Sequence, residues 1–212
     1  MIIDTARLWL RPVLLDDAPA MVALDADPRV MRFVNGGSPT PRAQIVDWTI
    51  PRARAEYTAH GTGIRTLILK DTAEFAGWIE LRRPRHSSRT ELELSYRLPH
   101  HLWGRGLATE AAIAILRAAF TEHRAQRVFA GTSPQNAASR KVLQKIGMRR
   151  VPTLLDDDYE VEYEVLRHHW EMHTATTSRI DLVTAAGVDT AATTRRGAVV
   201  GRHRLPDALA GA

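Results

Sequence analysis

No cysteine occurs among the 212 residues. That excludes disulfides, cysteine-based zinc sites and a thiol nucleophile together. No apolar run reaches the roughly 18 residues that a membrane-spanning helix needs, so no membrane span is expected. The start, MIIDTARLWLRP, carries Asp4 early and lacks a basic-then-apolar pattern, so it does not read as a signal peptide. Together these absences point to a cytoplasmic location. There is no block of five like charges, and aromatic residues are only 6%. A nucleic-acid surface would show clustered Lys and Arg with interleaved aromatics, so that class of partner is disfavoured. Internal repeats are absent as well.

What is present is ordinary for a globular chain: 44% hydrophobic residues, 25% charged, and a net charge of +5. The length suits one domain with a full core and an appendage. From Thr174 onward Ala, Thr, Gly and Arg dominate and apolar periodicity is poor. Residues 174–212 hold five Arg and three Asp, with no Lys or Glu. The chain is therefore expected to divide into a domain over 1–173 and a flexible, basic, disordered tail over 174–212.

Ala6 to Arg11 alternates like a strand, and Leu15-Asp16-Asp17 starts a helix over Ala18 to Ala26. Pro28 opens a short second helix through Phe33. Thr40-Pro41 reads as an N-cap with proline at the first helical position. The helix it begins should run toward His60, with Ile45, Trp48 and Ala55 inward and a kink or split at Pro51. Ile64 to Leu69 and Phe75 to Leu81 form a hairpin. In Thr90 to Leu98 the alternation sets Leu92, Leu94, Tyr96 and Leu98 on one face, and Glu91, Glu93, Ser95 and Arg97 on the other. A helix to about His123, a strand Arg127 to Thr132, a helix Ala137 to Ile146 capped by Asn136, and two last strands, Arg149 to Leu155 and Tyr159 to Leu166, complete an α+β pattern. The strands flanking the first of those helices can be parallel neighbours through a crossover.

Between Leu98 and that helix lies HLWGRGLATEAA. Gly104 and Gly106 let backbone N–H groups approach a ligand with no Cβ in the way. The helix behind them points its unpaired N–H groups and the positive end of its dipole at the same spot. The combination suits a phosphate or pyrophosphate, and Arg105 adds a full positive charge. Thr109 stands where a dinucleotide fingerprint would have its third glycine, and the P-loop ending is missing.

The opening RLWLRP with Asp16-Asp17, the ELSYRL strand, LWGRGLATEAA, NAASRKVLQKIGM and the closing YEVLRHHW together resemble the GNAT superfamily of acyl-CoA-dependent N-acetyltransferases. More narrowly, they resemble its branch of ribosomal-protein N-terminal-alanine acetyltransferases. The resemblance spans about residues 6 to 170, with Met148 where phenylalanine is common and His101 where glutamine or arginine often opens the phosphate motif. It implies a three-layer α/β/α fold. The sheet would be mixed and mostly antiparallel, with a central parallel strand pair that splays apart and helices on both faces. It implies acetyl-CoA as cosubstrate and no metal. The pyrophosphate would lie on the amides around Trp103, Gly104, Arg105, Gly106, Leu107, Ala108 and Thr109. The pantetheine arm would run along the strand end through Tyr96, Arg97 and Leu98, with Asn136 contacting it from the following helix, where Arg140 and Lys141 are within reach of the CoA phosphates. The reaction it implies is direct attack of a primary amine, on a protein N-terminus or a small molecule, without an acyl-enzyme.

That chemistry needs a proton acceptor for the amine, either a carboxylate or an ordered water, and Glu93 on the polar face of its strand is the candidate. His100 and His101 are alternative bases. A backbone N–H near Tyr96 is the simplest donor to the oxyanion. Ser139, in the N-x-x-S pattern of the branch, is placed to hydrogen-bond the departing sulfur. The acceptor walls are expected from Met31 to Pro39, the kinked helix before Gly61, and the turn at Asp156–Asp158. A homodimer is compatible with the sequence. The rival classes are a CoA-binding protein without catalysis and a ribosome- or nucleic-acid-associated module using the basic tail.

Overall fold

The structure is a computed structural model that describes residues 1–84, 90–152 and 161–172. The strands are β1 (Ile3–Asp4), β2 (Leu8–Pro12), β3 (Gly63–Leu69), β4 (Phe75–Arg82), β5 (Glu91–Arg97), β6 (Arg127–Thr132), β7 (Arg149–Val151) and β8 (Val161–Leu166). They form one sheet in the order β1-β2-β3-β4-β5-β6-β8-β7. β5 and β6 run parallel; every other neighbouring pair is antiparallel. The sheet and the helices that cover it lie in the unit Met1–Trp170. The tail expected over 174–212, the boundary before it and the turn at Asp156–Asp158 lie outside the described residues. Among those described, no helix is long and apolar enough to cross a membrane.

Alternation along the strands sorts the core into two layers. Leu67, Ile79, Leu81, Leu92 and Leu94 face α4 (Leu107–Thr121) and α5 (Ala137–Lys145). From α4 come Leu107, Ala111, Ile115, Leu116 and the fully buried Phe120. Each large side chain taken out of water there contributes about 1.5–3 kcal/mol. On the opposite face Ile64 and Trp78 pack with α1 (Ala18–Asp25), α2 (Pro28–Asn35) and α3 (Ile50–His60) through Met21, Leu24, Val30, Ile50 and Ala53. Helices therefore cover both faces of a mostly antiparallel sheet, the α+β three-layer arrangement expected from the sequence.

Two local readings change. The helix after Pro41 does not simply kink at Pro51: Gln44–Thr49 is wound as a π-helix, and the Ile50 N–H reaches back to the Ile45 carbonyl. The wider turn makes room for the proline ring at the start of α3. The extra residue also shifts the buried face from an α step to a five-residue step, Ile45 to Ile50. Trp48 is consequently 59% exposed and Ala55 lies outside, while Ala53 takes the inner position. The Thr40 hydroxyl is engaged elsewhere, donating to Asp25 Oδ2 at 2.6 Å. The short edge strand β1 carried no alternation from which it could be read.

A buried network fixes the start of α1. Arg11 donates through both terminal nitrogens to Asp17, at 2.7 and 2.6 Å, and Asp17 also accepts from the Leu14 N–H and the Thr66 hydroxyl. Burial alone would raise the Asp17 pKa, but these donors together hold it below the usual carboxylate value.

Candidate active site

The parallel pair is joined only at its beginning. β5 and β6 pair at Glu91, Leu92 and Glu93; beyond Glu93 they part. The last four residues of β5 thus present a backbone edge to open space on that side, in the place where the resemblance implies a splay. The chain then leaves the sheet through Pro99 and a short turn, closed by the Trp103 indole N–H donating to the Leu98 carbonyl at 2.8 Å.

Gly104 and Gly106 both take left-handed backbone, with φ of +74° and +77°. A Cβ on Gly104 would meet nothing within 4 Å, and one on Gly106 would meet only the end of the Arg7 side chain. Open space therefore stands before the turn. No side chain caps α4. Among the described residues, none of the N–H groups from Gly104 to Thr109 donates to another protein group. Six consecutive free amides at a helix N-terminus form a cradle of the kind a diphosphate fills.

The cradle is braced from behind. Arg7 Nη1 donates to the Arg105 carbonyl at 2.8 Å, and Glu110 accepts from the Arg7 backbone, the Arg7 Nε and the Thr5 hydroxyl, each at 2.7 Å. Burial works to raise the Glu110 pKa, but these bonds outweigh it and hold it below the usual carboxylate value.

Two clefts adjoin β5. The first, of about 300 Å³, runs from the cradle along the strand end to α5; Tyr96, Leu98, Trp103, Gly104 and Gly106 form one side. Leu107, Ala108 and Thr109 open it at the helix start, and Asn136, Ser139 and Lys141 close it from α5. The expected cap is present, with the Asn136 side chain accepting from the Ser139 N–H at 3.1 Å. The Ser139 hydroxyl lies 3.1 Å from the Tyr96 hydroxyl. Burial pushes the Tyr96 pKa up to about 12, against a smaller opposing pull from the Ser139 hydrogen bond. Arg105 is exposed on the outside of the turn. Arg140 donates to the Pro134 carbonyl at 2.7 Å, and the basic residues of α5 that reach the wall are Lys141, one residue on, and Lys145.

The second cleft, of about 550 Å³, lies on the α1–α3 side of the sheet. Glu93 is here, gripped through both oxygens by Arg82 at 2.6 to 2.9 Å. Glu80 is paired with Arg52 at 3.0 Å and Asp25 with Arg97 at 2.7 Å. Trp48 and Thr49 of the π-helical turn supply a wall, as the sequence suggested for the kinked helix. Phe33 and Val34, from the other segment expected there, line the first cleft instead. Arg97 is the one described residue shared by both clefts. Asp25, Glu80 and the Tyr96 hydroxyl were not singled out from sequence. Glu80 had a readable signal, since it alternates with Trp78 along β4; Asp25 had none.

A family model of the acetyltransferase (GNAT) domain matches residues 7–149. The chain belongs to the GNAT acetyltransferases. Over 186 residues this acetyltransferase is 28% identical to the FsC-acetyl coenzyme A-N(2)-transacetylase of Aspergillus fumigatus, covering 79% of this chain and 77% of that protein. It superposes on a crystal structure of an acetyltransferase from Agrobacterium tumefaciens with a TM-score of 0.66 and 29% identity, over 78% of this chain and 94% of that one. Its fold is also that of RimL, a ribosomal L7/L12 α-N-protein acetyltransferase solved with coenzyme A, with a TM-score of 0.64 at 16% identity over 78% and 98% of the two chains.

Proposed function

We propose that this GNAT acetyltransferase moves the acetyl group of acetyl-CoA to a primary amine, with the first cleft holding the cofactor and the second the acceptor. The observation that carries the reading is the six-amide cradle opening onto the unpaired edge of β5. The residues fit the group: free N–H donors for the diphosphate, a backbone edge for the amide-bearing pantetheine arm, and Val30, Phe33 and Leu102 as apolar contacts.

The amine enters from the second cleft and its nitrogen attacks the thioester carbon. A C–N bond forms, the C–S bond breaks, and the amine loses a proton. Glu93 is the assigned acceptor of that proton. Both of its oxygens are bound to Arg82, so one must leave the guanidinium or act through a bridging water. The oxyanion is assigned to a β5 backbone N–H near Tyr96. Ser139 is assigned a hydrogen bond to the sulfur as it departs.

The test is thiol release from acetyl-CoA with a panel of amines, beside calorimetry with CoA. Binding of CoA and amine-dependent release are expected; absence of CoA binding would end the proposal.

A further inference from the structure

We propose that the acceptor carries a carboxylate close to its reacting amine and that Arg97 binds it. The inference rests on the two-cleft reading above and specifies the acceptor class. Amine and thioester can meet only where the clefts adjoin, and Arg97 lies there. Groups attached next to the amine must therefore pass its guanidinium.

That guanidinium is held in place and incompletely used. Its Nη1 donates to Asp25 Oδ2, and its face lies 5.1 Å over the Trp78 ring. Asp25 is 4% exposed and is itself held by the Thr40 hydroxyl, so it does not swing out with its partner. Among the described residues, Nε and Nη2 of Arg97 donate to no protein group, and the side chain keeps 22% of its surface exposed. Arg82 differs, because its Nε and Nη2 are both spent on Glu93. An open Nε–H and Nη2–H edge is the parallel pair that meets the two oxygens of a carboxylate. A peptide carbonyl would take one donor of the two. A polyamine would offer none and would bring like charge. A cleft of about 550 Å³ accommodates an amino-acid-sized molecule.

The experiment measures acetyl transfer by the full chain to a set of free amino acids, each beside its amide, its decarboxylated amine and a short peptide bearing it at the N-terminus, with spermidine included. The free acid is expected to exceed its decarboxylated amine by about a hundredfold or more in kcat/KM, because the unused fork is left without a partner in the latter. In Arg97→Gln the preference collapses through acceptor KM. Because Arg97 also borders the first cleft, the ratio of free acid to decarboxylated amine is read at saturating acetyl-CoA, which separates acceptor recognition from any change in cofactor affinity. Because that change leaves Asp25 buried without its cation, Asp25→Asn/Arg97→Gln serves as the neutral, folded version. Equal use of amide, peptide or polyamine overturns the proposal, as does a preference that survives in either variant. Failure of every amine, or of CoA to bind, sinks the acetyl-transfer reading and this inference with it; transfer without carboxylate preference sinks this inference alone.

Discussion

The backbone of Gly77 lies against the carbonyl of Arg97 so closely that a Cβ on Gly77 would stand 2.1 Å from that oxygen and 2.9 Å from the Leu98 Cα. Gly77 also has φ of +115°, where other residues are strained. The contact lets the end of β5 lie close against β4, where Trp78 stands opposite Arg97 in the antiparallel register. Gly77→Ala is expected to destabilise the fold by about 2–6 kcal/mol, adding strain at positive φ to overpacking against backbone. It should weaken CoA binding in whatever fraction folds. Denaturant unfolding and calorimetry check both; an alanine variant of wild-type stability would mean that the close contact can relax.

Gly77 also marks where sequence reading stops. Within FAGWIEL it is an unremarkable strand glycine, because the atom it must avoid comes from a strand twenty residues later. The fold was legible where a local pattern carries it: alternation gave β5, the Asn136 cap gave α5, and two glycines before an alanine-rich run gave the cradle. Trp48 and Ala55 were misplaced because one π turn moves the phase of everything after it. The second cleft was illegible for another reason. Its pairs, Asp25–Arg97, Arg52–Glu80 and Arg82–Glu93, join residues that only the completed sheet brings together.

Gly104→Glu separates phosphate binding from folding. A side chain there meets no neighbour, so the cost to stability is the positive φ, about 1–2 kcal/mol. A carboxylate in front of the free amides would compete with the diphosphate and repel it. CoA affinity is expected to fall at least about a hundredfold, with Gly104→Ala giving a much smaller loss. Calorimetry on the two variants reads the difference, and retained affinity in the glutamate variant would remove the cradle from the phosphate role.

Glu93→Gln keeps the shape of the side chain and its acceptor oxygen for Arg82 but removes the basic carboxylate. Turnover is expected to drop by about a hundredfold, while the Kd for CoA is little changed because Glu93 lines the other cleft. Steady-state rates across pH with a saturating amine provide the measurement. A variant matching the wild-type profile would pass the base role to an ordered water.

Tyr96 and Ser139 place two hydroxyls 3.1 Å apart at the first cleft, and the tyrosine pKa, raised to about 12 by burial, bears on what they can do. A thiol ordinarily titrates near 8.5, so handing the Tyr96 proton to a departing thiolate is uphill by roughly 5 kcal/mol. The pair is better suited to orientation. With Tyr96 donating to Ser139 Oγ, the serine proton is free to point at sulfur. Tyr96→Phe should therefore lower turnover only about three- to tenfold, the worth of one neutral hydrogen bond. The same group leaves a mark on stability. Its folded pKa lies above the unfolded value of 10.0, so the native state keeps a proton that the unfolded chain releases. The resulting stabilisation is fully present below pH 10 and is lost as pH rises toward about 12, amounting to up to roughly 2.7 kcal/mol. Thermal unfolding of wild type should fall more steeply than that of Tyr96→Phe over this range, since the other titrating groups are common to both proteins and cancel in the difference. Parallel curves would show that the Tyr96 hydroxyl is not held neutral by burial. A hundredfold loss of turnover in the variant would make it the proton donor after all.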